Sequence, residues 1–119
     1  MKVAVAWNSP PGKQSMSPSE FQRSLASDHA PHDLSAPLAA LWWDAKGDWA
    51  SAHDLVDQLG STEGMAVHAY LHRKEGSLSN ADYWYRRAGR LYYRPVLNEE
   101  WLALVEGLLL AGPPSADPA

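Results

Sequence analysis

His68–Gly89 reads HAYLHRKEGSLSNADYWYRRAG. Two short helical halves meet at Gly76. Leu78, Ala81, Tyr85 and Ala88 give the second half an apolar stripe at helical spacing. Gly76 stops the first half, Ser77 is placed to cap the second, and Gly89 ends it. An earlier stretch, Ala39–Gly60, reads AALWWDAKGDWASAHDLVDQLG and repeats the plan at a shift of 29 residues. Ala40 falls on Ala69, Gly47 on Gly76, Ala52 on Ala81 and Gly60 on Gly89, while Trp49 meets Leu78. Glycine supplies the turn that other residues take at a cost, and alanine lets two antiparallel helices approach closely. The expected fold is therefore all-α, with two tandem antiparallel helical hairpins at its centre.

Helix signals continue on both sides. Ser17-Pro18-Ser19-Glu20 is a capping box with proline in the first turn, and Phe21 and Leu25 share the buried face of the helix it opens. Ser27–Ser35 is a loop. Ser35 or Ala36 starts a helix whose stripe is Leu38, Leu41, Trp42 and Ala45. Asp48 caps the next, which runs to about Leu59 with Trp49, Ala52, Val56 and Leu59 inward. A third long helix is expected from about Glu63 to Glu75. Arg90–Leu97 is irregular because Pro95 forbids a helix through it. Asn98 caps a last helix, with Glu99 and Glu100 suiting the positive end of its dipole and Trp101, Leu104, Val105 and Leu108 inward. Residues 1–15 read as an extended or disordered extension, 16–111 as one helical domain and 112–119 as a disordered tail. Met16 lies directly before the first helix, so a translation start there is expected, and the N-terminal mass of the native protein tests it.

The chain of 119 residues suffices for one core. It has no cysteine, which excludes disulfides, thiol catalysis and thiolate metal sites and fits the reducing cytoplasm. Six tryptophans bring large buried area and indole N–H groups that need acceptors. No apolar run is long enough to span a bilayer, so no membrane partner is expected. The net charge is −4, yet six of the ten cationic residues lie between Arg73 and Arg94. An acidic whole argues against nucleic acid as the partner, although a local basic strip could bind it.

The doubled pattern resembles the tetratricopeptide repeat and its Sel1-like relatives. The matching residues are Ala40, Trp43, Gly47-Asp48-Trp49, Ala52 and Val56 in the first unit. In the second they are Ala69, His72, Gly76-Ser77-Leu78, Ala81, Tyr85 and Ala88. The period of 29 residues departs from the family's roughly 34. Two units are also fewer than such arrays need, so flanking helices should cap the pair into a compact bundle. The chain is similar, too, to small bacterial proteins with an LWWDAKGDW…HAYLHRKEG…YWYRRAG core, a likeness that implies no activity. In the repeat family the first helix of each unit lines a concave groove. Carried over by position, that groove takes Leu41, Asp44 and Ala45, then Ala66, Tyr70, Arg73 and Lys74. The resemblance thus implies a protein- or peptide-binding module with no cofactor, its partner carrying acidic or carboxylate groups. The alternative is that the C-terminal helix fills the groove.

Two constellations stand out from the packing pattern. Tyr70, Arg73, Lys74, Tyr83, Trp84, Arg86, Arg87, Arg90, Tyr92, Tyr93 and Arg94 interleave cations with aromatics. Of these, Tyr70, Arg73, Lys74, Tyr83, Arg86 and Arg87, together with Asp44, form the expected binding surface. The same cations can instead pair internally with the acidic second helix or with Glu99, Glu100 and Glu106. The second constellation is His68, His72 and Glu75 on one helical face, a spacing that allows two imidazoles to hold one metal, with His53 or Asp82 as further ligand. It lacks the adjacent glutamate of the zincin motif. The repeat alignment turns both histidines toward the partner helix, so structural histidines hydrogen-bonded to a neighbouring helix are the expectation. A metal-binding protein or metal-dependent enzyme is the alternative. No Gly-x-Ser-x-Gly and no glycine-rich phosphate loop occurs. Asp44 or Asp82 could meet His53, but no catalytic residue is assigned.

Overall fold

A computed structural model describes residues 16–90 and 95–111. The expectations for residues 1–15, 91–94 and 112–119, including Tyr92, Tyr93 and Arg94, lie outside the described residues. Six helices follow one another: α1 (Pro18–Ser24), α2 (Ala36–Ala45), α3 (Trp49–Val56), α4 (Thr62–Glu75), α5 (Leu78–Arg87) and α6 (Leu97–Ala111). No strand occurs among the described residues. No helix is long and apolar enough to cross a membrane.

Local chemistry accounts for most helix ends. Ser17 and Glu20 close a reciprocal capping box, while Ser35, Asp48 and Ser61 each accept a first-turn backbone N–H. Gly47, Gly76 and Gly89 all take the left-handed conformation, with φ of +89°, +92° and +76°. After each of them the next N–H reaches back five residues: Asp48 to Trp43, Ser77 to His72 and Arg90 to Tyr85. These bonds satisfy carbonyls that the helix end would otherwise leave open. Gly60 does not share this backbone state.

Several expectations need correcting. α3 ends at Val56, and the Leu59 N–H closes a tighter bond to the Val56 carbonyl. Ser77 occupies the N-cap position of α5 but makes no side-chain cap; its hydroxyl accepts from Asn80 instead. Leu78 is exposed. It is the first residue of α5, whose backbone lies close to α4 but to no other described helix, and the buried stripe narrows to Ala81, Tyr85 and Ala88. Ala45 is exposed, and Trp49 is only half-buried. α6 begins at Leu97 rather than after an Asn98 cap.

The closest packing joins α2 to α3 and α4 to α5, and α4 also touches α2, α3 and α6. Gly64–Leu71 of α4 is consequently buried on every side. Ala40, Ala52, Ala69 and Ala81 are all fully buried, where small side chains allow close helix approach. Phe21, Leu38, Leu41, Trp42, Val56, Val67, Leu71 and Val105 fill the main core. α6 packs against α1, α2 and α4. Three indole N–H groups tie elements together: Trp42 to Ser24 Oγ at 3.0 Å, Trp49 to the Leu71 carbonyl at 2.8 Å and Trp101 to the Leu41 carbonyl at 3.0 Å. Each bond repays the desolvation of a donor that burial takes from water.

Candidate functional site

Because α4 is surrounded, its polar residues must find partners on neighbouring helices, and they do so on two faces. Tyr70, Arg73 and Lys74 share one. Tyr70 is buried and donates its hydroxyl to Asp44 Oδ2 at 3.1 Å. Lys74 Nζ donates to Asp44 Oδ1 at 3.0 Å. Asp44 is itself buried, so this phenol and this ammonium replace the water that its carboxylate has lost. Burial and the neighbouring Asp44 push the Tyr70 phenol far above its usual range, keeping it a donor.

Arg73 belongs to a different node. Its Nη1 donates to the Pro95 carbonyl at 2.8 Å and to Glu100 Oε1 at 2.7 Å. Tyr85 donates its hydroxyl to Glu100 Oε2 at 2.5 Å. Glu100, on α6, thereby fastens α4 and α5. The Arg73 guanidinium is therefore engaged within the fold, by Glu100 of α6 and by the chain just before it.

Beside these nodes a cleft of about 400 Å3 opens between α1, α2, α4 and α6. Gln22, Leu25, Asp44, Ala45, Tyr70, Lys74, Asn98 and Trp101 line it. Asp44, Ala45, Tyr70 and Lys74 come from the expected groove. Arg73, Tyr83, Arg86 and Arg87 do not line it. Tyr83, Arg86 and Arg87 are exposed on α5, where Arg87 lies over the rings of Tyr83 and Trp84 at 5.6 and 5.0 Å. The expected surface thus divides into a cleft, an internal node and an outer face.

The other face of α4 carries the histidines. His68 and His72 converge with His53 of α3, and one ring nitrogen from each lies within 4.8 Å of the others. His53 and His68 bring their Nε2 atoms to 3.1 Å. His53, not Asp82, completes the trio. Glu75 stands behind it: its Oε2 is 2.8 Å from His72 Nδ1, so it holds an imidazole from outside the trio. Asp57 Oδ1 lies 3.7 Å from His53 Nε2 and 3.9 Å from His68 Nε2. It escaped the sequence reading, although its place four residues after His53 puts it on the same helical face. Trp49 stacks on His53 and Trp84 on His68, with centroids 4.8 and 4.2 Å apart. Burial lowers the His68 pKa to about 4, helped by His53 and His72 and opposed by Asp57. Asp44, paired with Tyr70 and Lys74, makes no catalytic dyad with His53.

The chain matches no family model, and no significantly similar curated protein or solved structure was found.

Proposed function

We propose that this chain is a small helical binding module that takes a segment of a protein partner into the cleft between α1, α2, α4 and α6. The observation carrying this reading is that Asp44, Ala45, Tyr70 and Lys74, groove positions of the repeat resemblance, line one open cleft. Leu25, Ala45 and Trp101 offer apolar surface to an aliphatic or aromatic side chain. Lys74 spends one donor on Asp44 and remains 41% exposed, so its other donors are available to a carboxylate. Gln22 and Asn98 add amide groups that orient a peptide backbone. The TPR-like arrangement of hairpins and the partner's acidic character belong to this proposal, as does a cytoplasmic setting. Tyr83, Arg86 and Arg87 form a separate exposed face that extends the contact for a larger partner.

Panning the purified chain against a displayed peptide library tests the reading. Enriched peptides should combine an acidic or C-terminal carboxylate with a neighbouring apolar residue. Ala45→Glu, at an exposed helical position, should abolish their binding with the helical circular dichroism unchanged, and Lys74→Met should weaken it at least tenfold. Peptides that bind both variants as well as the parent would overturn the proposal, as would a library that yields none.

A further inference from the structure

We propose that His53, His68 and His72 form a mononuclear site for a divalent transition ion of zinc-like preference, on the face of α4 away from the cleft. The three imidazoles come from two helices that pack directly together, and one nitrogen of each lies within 4.8 Å of the others. Metal–nitrogen bonds of about 2.0–2.1 Å at tetrahedral angles place the ligand nitrogens about 3.3 Å apart. His53 and His68 already meet that spacing at 3.1 Å. The third nitrogen needs to close by at most about 1.5 Å, within reach of a side-chain adjustment on a fixed backbone.

The surroundings match what a metal-held histidine requires. Glu75 on His72 Nδ1 fixes that ring and leaves its Nε2 free to face the ion, the carboxylate–imidazole support found behind metal ligands. Trp49 and Trp84 stack on the other two rings and hold their planes. His68 is buried with its Nε2 turned to His53 Nε2; its Nδ1, on the side away from the ion, has no hydrogen-bond partner among the described residues. Packing alone gives no reason to bury that polar ring against two other imidazoles, whereas a ligand role does. Asp57 is the nearest carboxylate, at 3.7 and 3.9 Å from two of the ligand nitrogens. It offsets the charge of the ion and can accept a hydrogen bond from water at the fourth position. Three imidazoles without thiolate suit zinc, nickel, cobalt or copper(II) and disfavour calcium and magnesium, which seek oxygen.

The experiment is calorimetric titration of the untagged, chelator-treated chain with zinc, followed by cobalt absorption spectroscopy. One equivalent should bind with submicromolar affinity, raise the melting temperature and give the visible bands of four-coordinate cobalt. His53→Gln and His72→Gln alter the half-buried members and should each weaken binding at least 100-fold. The double variant His29→Gln with His32→Gln changes exposed histidines and should bind like the parent. Absent stoichiometric binding, or affinity unmoved by His53→Gln and His72→Gln, overturns the site. Loss of binding in the His29/His32 variant also overturns it. Should the His53 or His72 variant fail to fold, the cobalt spectrum of the parent decides: absent four-coordinate bands refute the site.

Discussion

Arg73 and Glu100 provide the sharpest test of how α6 is held. Glu100 is 7% exposed and accepts from Arg73 at 2.7 Å and from Tyr85 at 2.5 Å. Glu100→Ala removes both bonds and leaves the Arg73 guanidinium without its carboxylate, though still donating to the Pro95 carbonyl just before α6. Breaking one side of a buried pair costs about 3–5 kcal/mol. Arg73 keeps 20% exposure, so water recovers part of that, and about 3 kcal/mol is expected. Arg73→Met should cost a similar amount, because it strips a buried carboxylate of its cation. The double variant leaves neither charge stranded. It should therefore lose much less than the sum, with a coupling of about 2 kcal/mol in a double-mutant cycle. Urea unfolding followed by circular dichroism supplies the free energies, and an unchanged dependence on urea shows that the same surface is exposed. Such a loss is a large share of the roughly 5–15 kcal/mol that stabilises a typical domain. If the two single variants are additive, or if Glu100→Ala costs under about 1 kcal/mol, Arg73 is not a fastening for α6 and its place in an exposed binding surface is restored.

Two further outcomes follow from burial. His68 has a pKa lowered from 6.5 to about 4 in the folded chain, so below pH 6.5 the unfolded chain takes up a proton that the folded one refuses. Its contribution is complete above pH 6.5 and is lost as pH falls toward 4, by about 3 kcal/mol at roughly 1.4 kcal/mol per unit. Urea midpoints of the metal-free parent and of His68→Gln, compared at about pH 7.5, about 5.5 and about 4.5, should converge as pH drops; a constant gap refutes this. Gly64→Ala gains about 1 kcal/mol of helix propensity, but its new methyl would meet Leu59 Cβ at 2.6 Å. Leu59 must then shift at a cost of about 1–3 kcal/mol, so a net loss of stability is expected, and a higher melting temperature would refute the close approach.

Elements governed by neighbours in the chain were legible from the sequence. Ser17 with Glu20, Asp48 with Ser51, and the left-handed Gly47, Gly76 and Gly89 act within a few residues of themselves. The periodic stripes also located Phe21, Leu41, Trp42, Ala52, Ala81, Tyr85 and Val105 in the core. Legibility stopped where the partner is distant. Arg73 meets Glu100 across 27 residues and Lys74 meets Asp44 across 30. A cationic run looks the same in sequence whether it faces solvent or a buried acid. The histidine trio shows the same divide. The spacing of His68 and His72 marked a shared face, but only the packing of α3 on α4 distinguishes His53 from Asp82 and sets Glu75 behind the ring. Leu78 was misplaced because a stripe marks a helical face but not how far along it a neighbour reaches, and Leu78, at the start of α5, is exposed.

The union of α1 with α6 has a consequence for synthesis. Phe21 and Trp101 lie 6.0 Å apart between ring centroids, and the Trp101 indole bonds Leu41 across 60 residues. The turns at Gly47 and Gly76 join neighbours that leave the ribosome together, so those contacts form at short loop-closure cost. The surface that α6 covers has no such early partner. Until residue 101 and the turns beyond it emerge, Phe21 and the α2 surface beneath Trp101 stay open to water and to other chains. Of the six described helices, the one made after the other five is the one that covers this surface.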